Sequence, residues 1–208
     1  MKKLVLMILL ILCFRSLYSQ LIYSYGLKTG VSIANQDYDY TYINGLKTNF
    51  RYGLDIGEFT EFAISNRFNL LLEIHFIQKG TNVEINVMDN TGQVIDTDIS
   101  IIVNYFEFDL FTKFKLNQSI IKPYILGGPI IDILIGYKSE WSGFDSYYDD
   151  FEPVDFGFSI GFGAEFQLFK EITSLLEFRF SPSLTSSYKT DAIEISNRSF
   201  EVLTGIKF

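Results

Sequence analysis

Apolar and polar residues alternate with a period of two along most of this chain. In the stretch from Asp155 to Gln167, every second position is a glycine, a serine, an acidic residue or an amide. The positions between them are apolar: Phe156, Phe158, Ile160, Phe162, Ala164 and Phe166. Because neighbouring side chains of a β-strand point to opposite faces, this pattern predicts a strand with one apolar and one polar face.

Eight segments show this split, at about residues 24–34, 50–62, 68–79, 104–116, 123–137, 155–167, 174–184 and 199–208. The fifth segment is apolar on both faces. We assign its isoleucines to the apolar face because Asp132 and two glycines then lie on the opposite face. The residues assigned to the apolar face are Ile125, Ile131, Ile133 and Ile135. No segment shows the period of an amphipathic helix, so the pattern predicts an all-β fold.

The connections between these segments alternate in length. Residues 65–67, 117–122 and 168–172 are short links, whereas 35–49, 80–103, 138–154 and 182–197 are long. An up-and-down meander would place all four long links at one end, which is typical of bacterial outer-membrane barrels. Alternation continues inside 80–103 up to Asp89-Asn90-Thr91-Gly92, so segments three and four are expected to project as a hairpin.

The beginning of the chain is typical of a secretory signal peptide. Lys2 and Lys3 precede an apolar run over 4–14, which is too short to span a bilayer and is followed by small serines. We predict a signal peptide at 1–19 and a single domain at 20–208. The only cysteine, Cys13, lies in the removed part, and Leu12 before it does not fit a lipoprotein signal. No disulfide is then expected in the mature domain.

The charge of the chain argues against a nucleic-acid partner. The formal net charge is -8, and removal of Lys2, Lys3 and Arg15 with the signal peptide would make it -11. A protein that binds a polyanion usually carries an excess of lysine and arginine.

Alternation alone leaves two orientations open. A soluble lipocalin-like barrel would turn the apolar face inward, whereas a membrane barrel would turn it outward. Eight faces rich in phenylalanine, leucine and isoleucine exceed what an eight-stranded lumen can hold, while glycine, serine and paired charges suit a narrow interior. We therefore predict an eight-stranded antiparallel up-and-down transmembrane β-barrel in the cell outer membrane, surrounded by lipid and lipopolysaccharide.

This orientation defines two sets of candidate residues. An interior charge network of opposite signs is expected to fill the lumen; its members are Lys28, Arg51, Asp55, Glu73, His75, Glu107, Asp109, Lys113, Glu165, Glu177, Arg179, Glu201 and Lys207. The last segment, SFEVLTGIKF, is expected to close the sheet and to act as the assembly signal for the barrel-insertion machinery. The outward residues of that signal are Phe200, Val202, Ile206 and Phe208.

Candidate chemistry is sparse. His75 is the only histidine, and next to Glu73 it could act as a base or a metal ligand, but we interpret it as a member of the interior network. The acidic stretch FDSYYDDFEP at 144–153 could bind calcium, yet its spacing matches no EF-hand loop. We expect it to be solvated or bridged to lipopolysaccharide by divalent ions. No catalytic residue, cofactor site or metal site is predicted.

Several stretches resemble the PorT-like outer-membrane β-barrel family of Bacteroidota. They are GLKTGVSIANQ (26–36), GLDIGEFTEFAISNRFNLLLEIHFIQKG (53–80), NYFEFDLFTKFKL (104–116), KPYILGGP (122–129) and FGFSIGFGAEF (156–166). One departure is Asp109, where the family pattern leads us to expect a proline. The resemblance implies a barrel fold and an outer-membrane location, and the namesake of the family takes part in type IX secretion and gliding.

The expected function is a non-enzymatic integral outer-membrane protein whose long external loops serve a structural, binding or envelope-assembly role. Other envelope proteins are candidate partners. Two alternatives stay open: a component of the secretion and gliding machinery, and a lipid-modifying enzyme that would depend on His75.

Overall fold

The computed structural model of the chain describes residues 22–40, 47–88, 94–116, 120–139, 151–169, 172–190 and 193–208. The predicted signal peptide lies outside these residues, as do the hairpin tip at 89–93 and positions 144–150 of the acidic stretch. Among the described residues, no helix has the length and apolarity needed to cross a membrane.

The described chain is built from ten β-strands. Their bounds are β1 (Ile22–Tyr40), β2 (Thr48–Asn49), β3 (Arg51–Ala63), β4 (Phe68–Met88), β5 (Val94–Lys115), β6 (Ile121–Ser139), β7 (Val154–Gln167), β8 (Thr173–Pro182), β9 (Tyr188–Lys189) and β10 (Ile193–Lys207). Eight of them are long and match the eight predicted segments. The two others contain only two residues each and add to the edges of β4 and β10.

The eight long strands form a closed antiparallel ring in the order β1, β3, β4, β5, β6, β7, β8, β10. The ring closes where β1 pairs with β10, from Gly26 opposite Lys207 to Tyr40 opposite Ile193. Each strand of the ring is therefore paired with a neighbouring strand on both sides. This confirms the predicted up-and-down topology.

The outward face of the ring is apolar and the inward face is charged, as predicted. Leu27 and Phe162 on the outside are 61% and 60% exposed, whereas Lys28 and Glu165 beside the lumen are 2% and 3% exposed. The assignment made for β6 is also confirmed, since its isoleucines at 125, 131, 133 and 135 are all exposed.

The predicted extent of the long loops at 35–49 and 182–197 was wrong. β1 continues to Tyr40, where it pairs with the start of β10 at Ile193. β4 and β5 remain paired as far as Met88 opposite Val94. The inner faces of these extensions carry apolar residues, so pairing and burial continue beyond the predicted strand ends. The buried members of this apolar cluster are Ile77, Val83, Ile99, Ile101, Val103, Tyr105, Phe151 and Ile195. The expected hairpin of segments three and four is confirmed.

The extension of β4 begins at Gly80, which has an unusual backbone conformation. This glycine has a φ of 122°, a conformation that residues with a Cβ atom rarely adopt. A Cβ atom at this position would lie 2.1 Å from the carbonyl oxygen of Ile101 on β5. Glycine is therefore required by both the backbone conformation and the close approach of the neighbouring strand.

Candidate functional site

The lumen is filled by charged side chains that form three clusters along its axis, which together we call the ionic plug. The inner cluster lies near the short turns, the outer cluster lies near the β4–β5 extension, and the central cluster lies between them. All three are almost completely shielded from solvent. A buried charge is tolerated only when it is paired and hydrogen-bonded, so the contacts within each cluster decide whether the lumen is stable.

The inner cluster surrounds Glu61 on β3. Its carboxylate accepts from Lys113 Nζ at 3.3 Å, Lys115 Nζ at 3.1 Å and Lys207 Nζ at 3.3 Å. Glu165 on β7 binds Lys113 and Lys207, each at 2.5 Å. Two carboxylates are thus shared among three ammonium groups, which leaves an excess of positive charge at this end.

A cavity of about 630 Å³ opens beside the inner cluster, at the short-turn end of the ring. Lysines dominate its charged lining, with Glu165 as the acidic member. The lining residues are Tyr23, Ala63, Ile64, Ser65, Asn66, Asn69, Lys115, Lys122, Glu165, Thr173 and Lys207. The lumen is therefore accessible from this end only as far as the first layer of ion pairs.

The central cluster is organised by Arg179 on β8. Its Nη2 lies 2.5 Å from Glu73 Oε2, its Nη1 lies 3.1 Å from Asp109 Oδ2, and its Nε donates to Glu177 Oε1 at 2.5 Å. Lys28 Nζ binds Glu73 at 2.7 Å and Glu177 at 2.9 Å. Because β4 and β8 are opposite strands of the ring, the contact between Arg179 and Glu73 crosses the full width of the lumen.

Two aromatic residues complete the central cluster. The Tyr124 hydroxyl donates to Glu177 Oε2 at 2.6 Å, and the Arg179 guanidinium lies 4.8 Å from the centre of the Phe111 ring. The second contact is a cation–π interaction in a desolvated setting. These rings occupy the space that the charged side chains leave between them.

His75 lies between the central and outer clusters. Its Nδ1 is 2.6 Å from Asp55 Oδ1 and its Nε2 is 3.0 Å from Glu73 Oε2. A carboxylate only accepts hydrogen bonds, so both contacts form when the ring carries two N–H groups, as an imidazolium. Neither nitrogen is then available as a base or as a metal ligand.

The outer cluster is centred on Lys79. Its Nζ binds Glu107 Oε2 at 2.7 Å and Asp132 Oδ2 at 2.6 Å, and it lies 5.8 Å from the centre of the Tyr105 ring. Glu201 on β10 accepts hydrogen bonds from Ser181 at 2.9 Å and from Ser199 at 2.5 Å. Carboxylates are therefore more numerous than ammonium groups in this cluster.

The structure places nearly all the predicted interior residues in the plug. Arg51 is the exception, because it is only half-buried and makes no ion pair with any described residue. Its Nη1 instead donates to the carbonyl oxygen of Lys79 at 3.5 Å. Arg51 is the first residue of β3, so it lies at the rim where water can solvate it.

Four members of the plug were absent from the predicted network: Glu61, Lys79, Lys115 and Asp132. Lys115 lies two residues after Lys113, on the same face of β5. Glu61 and Lys79 follow the parity of Asp55 and His75, but Phe59 and Ile77 lie on the same inward face and hide the pattern. Asp132 was placed on the polar face of its strand without being assigned a partner. Continuing the every-second-residue pattern of β3 past Phe59 and that of β4 past Ile77 would have identified Glu61 and Lys79.

The outward residues of β10 lie along the seam of the ring. Phe208 and Tyr25 exchange backbone hydrogen bonds of 2.8 and 3.2 Å, and their rings are 5.9 Å apart. Phe200 stacks on Phe180 of β8 at 4.7 Å. The role of Phe200, Val202, Ile206 and Phe208 as an assembly signal stays a prediction.

A family model for the outer membrane protein beta-barrel domain matches residues 18–189. The chain belongs to this family. The match covers most of the ring, and with the apolar outward belt it locates the protein in the outer membrane. No curated protein matches the chain.

Several solved structures of outer-membrane proteins are similar to this chain. OprG from Pseudomonas aeruginosa superposes with a TM-score of 0.54 at 10% identity, covering 90% of this chain and 97% of that one. The E. coli Outer Membrane Protein W gives 0.42 at 10% identity, with 91% and 100% covered. Neisserial surface protein A gives 0.43 at 12% identity, with 88% and 95% covered. At such low identity, the likeness to OprG establishes the fold alone.

One charged residue breaks the apolar, lipid-facing belt. Glu58 on β3 is exposed between Leu27 and Ile74, and no described residue forms an ion pair or hydrogen bond with its side chain. With a rise of ~3.3 Å per residue and a tilt of about 40°, it lies ~13 Å from the end of β3. That distance is near the middle of the hydrophobic band, where a carboxylate is costly.

Replacing Glu58 with leucine is therefore expected to stabilise the barrel by about 1–2 kcal/mol in a bilayer. Urea unfolding in vesicles of a neutral lipid would measure the change. The same substitution at Glu84, on the extension outside the belt, should give no comparable gain. A loss of stability in Glu58→Leu would mean that the carboxylate is solvated or paired in the membrane.

Proposed function

We propose that this protein is a non-enzymatic outer-membrane barrel with a closed lumen, which uses its external β4–β5 extension to bind a surface ligand or another envelope component. The observation that carries the proposal is the contact of Arg179 with Glu73 between opposite strands. Because these two side chains come from opposite walls and meet inside the lumen, they close it. Function is then expected outside the lumen.

The extension has the features of a rigid binding element. Its inner face packs through Val83, Ile99 and Ile101, which are at most 6% exposed. Its described outward residues are polar, unlike the apolar residues of the belt: Asn82, Glu84, Asp98 and Ser100. The short β2 strand pairs with β4 there, and hydrogen bonds from Lys47 and Asn49 lower the pKa of the Glu84 carboxyl. A packed inner face supports a fixed shape for a partner to recognise.

The closed lumen predicts a simple electrical result. In planar bilayers the refolded protein is expected to give no large, stable conductance, because the ion pairs of the plug fill an eight-stranded lumen. The variant Arg179→Ser, which removes the crossing contact, should conduct more often than the wild type. Large, stable openings of the wild-type protein would overturn the closed-lumen proposal.

Binding by the extension is tested by shortening it. Replacing residues 84–97 with an Asn-Gly turn should leave a heat-modifiable barrel, because the ring below Gly80 is unchanged. A photo-crosslinker at Asp98 is expected to capture a specific surface partner in cells, whereas one at the lipid-facing Ile206 should not. Equal crosslinking patterns at both positions would contradict a binding role for the extension.

A second candidate is a component of the type IX secretion and gliding machinery. The stretches at 53–80 and 122–129, which resemble the PorT-like family of Bacteroidota, favour this role. A deletion strain would then fail to export the cargo of that system, and the protein would co-purify with its envelope complexes. Normal export in the deletion strain would rule out this candidate.

A lipid-modifying enzyme has less support. Both ring nitrogens of His75 are engaged by Asp55 and Glu73, deep inside the lumen and away from the outer rim. The variant His75→Gln should therefore leave the lipid A profile of the cell unchanged. An altered profile would reverse this conclusion.

A further inference from the structure

Three lysines line the cavity at the short-turn end of the ring. Lys115 is the last residue of β5, Lys122 is the second residue of β6 and Lys207 is the last residue of β10. Glu165 is the one carboxylate among the described residues of this lining. Because the short turns of outer-membrane barrels face the periplasm, the three ammonium groups are presented to that compartment.

Hydrogen-bond donors outnumber acceptors around this cavity. An ammonium group has three N–H donors. Lys115 uses one of them on Glu61, and Lys207 uses two, on Glu61 and Glu165. Lys122 lies directly opposite Glu165 in the β6–β7 register, but Glu165 already accepts from two other lysines. No described residue forms an ion pair or hydrogen bond with the side chain of Lys122, so all three of its donors are available.

The carboxylates beneath the cavity cannot accept these remaining donors. Glu61 accepts hydrogen bonds from Ser24 and Asn69 in addition to three ammonium groups. Glu177, which lies deeper in the lumen, already binds two cations and the Tyr124 hydroxyl. The free N–H groups of the cavity wall therefore point to an acceptor that comes from outside the plug.

The count of all described charges at this end of the lumen is also positive. The cations are Lys113, Lys115, Lys122, Lys207 and Arg67, and the anions are Glu61, Glu165 and the terminal carboxylate of Phe208. Lys170 and Glu171, in the turn at 168–172, lie outside the described residues and carry opposite charges. The central cluster adds one surplus carboxylate, because its two cations bind three carboxylates. An excess of cations at the cavity remains after this carboxylate is included.

Tyr23 positions two of the three lysines. Its ring centre lies 4.6 Å from the Lys115 ammonium group and 5.7 Å from that of Lys207. Such cation–π contacts hold an ammonium group in place without neutralising it, because the ring has no formal charge. Both groups therefore keep their attraction for an anion.

We propose that this cavity binds the phosphate group of a phosphate monoester that enters from the periplasmic side. Such a phosphate carries a charge of about -2 and three strong acceptor oxygens, which suits three ammonium groups from three strands. The volume of about 630 Å³ is within the range of small-molecule sites, so it also has room for the organic part of the ester. The proposal concerns the end of the ring opposite the extension and does not depend on the function assigned there.

A metal ion is a less suitable ligand for the lumen. Among the described residues, donor atoms converge on a metal-sized space only at Glu73, His75 and Asp109, which bring them within 4.8 Å of one another. Arg179 already binds Glu73 Oε2 and Asp109 Oδ2, and both nitrogens of His75 face carboxylates. A cation there would have to displace the guanidinium.

The test is a calorimetric titration of glycerol 3-phosphate into the barrel refolded in a maltoside detergent, which contains no phosphate. One saturable site per chain is expected. Lys122→Gln breaks no described ion pair and should weaken binding roughly tenfold, whereas Lys122→Arg should retain most of the affinity. Lys138→Gln is the matched control, because it removes the same charge from an exposed position at the other end of β6 and should bind like the wild type.

Two sources of the phosphate are distinguished by native mass spectrometry of protein extracted from outer membranes. A lipid with a terminal phosphate, such as phosphatidic acid, would appear as a bound mass that the wild type retains and Lys122→Gln loses. If the source is a soluble ester, the extracted wild type carries no such lipid and still binds glycerol 3-phosphate.

A readout without any substitution covers the case in which Lys122→Gln does not fold. Raising the salt concentration should weaken binding of glycerol 3-phosphate to the wild type, because salt screens the ammonium groups. The proposal is overturned if no saturable site exists, if salt has no effect on the affinity, or if Lys138→Gln weakens binding as much as Lys122→Gln. Equally tight binding of succinate would assign the cavity to dicarboxylates and also overturn it.

Discussion

Replacing Arg179 with methionine is expected to lower the free energy of unfolding by about 3–5 kcal/mol, because three buried carboxylates then lose a shared cation. Glu73, Asp109 and Glu177 all bind this guanidinium within 3.1 Å, and its side chain is 2% exposed. Methionine fills much of the volume but supplies no donor. Urea titration of the refolded protein in lipid vesicles, followed by mobility of unboiled samples on gels, would measure the loss.

Two further variants identify the cause. Arg179→Met/Glu177→Gln should recover part of the loss, because one unpaired carboxylate is removed with the cation. Lys189→Met breaks an exposed ion pair with Glu194 outside the ring and should have little measurable effect. A change below about 1 kcal/mol in Arg179→Met would show that water enters the central cluster and screens it.

Replacing Gly80 with alanine is expected to destabilise the protein by about 2–4 kcal/mol, since a Cβ atom adds backbone strain and a clash with β5. The φ of 122° is unfavourable for alanine, and the new atom would contact Ile101 O at 2.1 Å. The pairing of β4 with β5 must shift to relieve this contact. Proteolysis of the extension should therefore be faster than in the wild type. The urea concentration at the midpoint of unfolding should also be lower.

Gly136→Ala is the matched control for this substitution. Gly136 also lies in a long strand of the ring, but a Cβ atom there would meet nothing within 4 Å. The control should stay within about 0.5 kcal/mol of the wild type. Equal effects of both alanines would mean that loss of glycine flexibility, rather than the geometry at Gly80, is responsible.

The alternation of the sequence predicted the ring and its orientation because one face of every strand contacts lipid. Lipid accepts only apolar residues, so the outward positions form a simple pattern. The pattern at the lumen-facing positions is less regular, because the residues there must fill the lumen as well as neutralise its charges. Leu71, Phe111 and Leu203 are all at most 1% exposed beside the charges. Such apolar residues interrupt the polar face and concealed Glu61 and Lys79.

The partners within the plug could not be predicted from sequence. Strand tilt and stagger decide which side chains meet across a barrel, and both depend on how the whole ring closes. Arg179 thus meets Glu73, which is 106 positions away in the chain. The same geometry extends β1 to Tyr40, where the pattern had predicted a loop from residue 35 onward.

The central cluster also implies an order of events during assembly. Lys28 comes from the first strand of the ring, Glu73 from the third and Arg179 from the seventh, so no partial sheet can bring the three together. Until β10 reaches β1, the growing sheet carries separated charges that favour water over lipid. Insertion and ion pairing must therefore occur in one cooperative final step, and partially inserted chains should be short-lived.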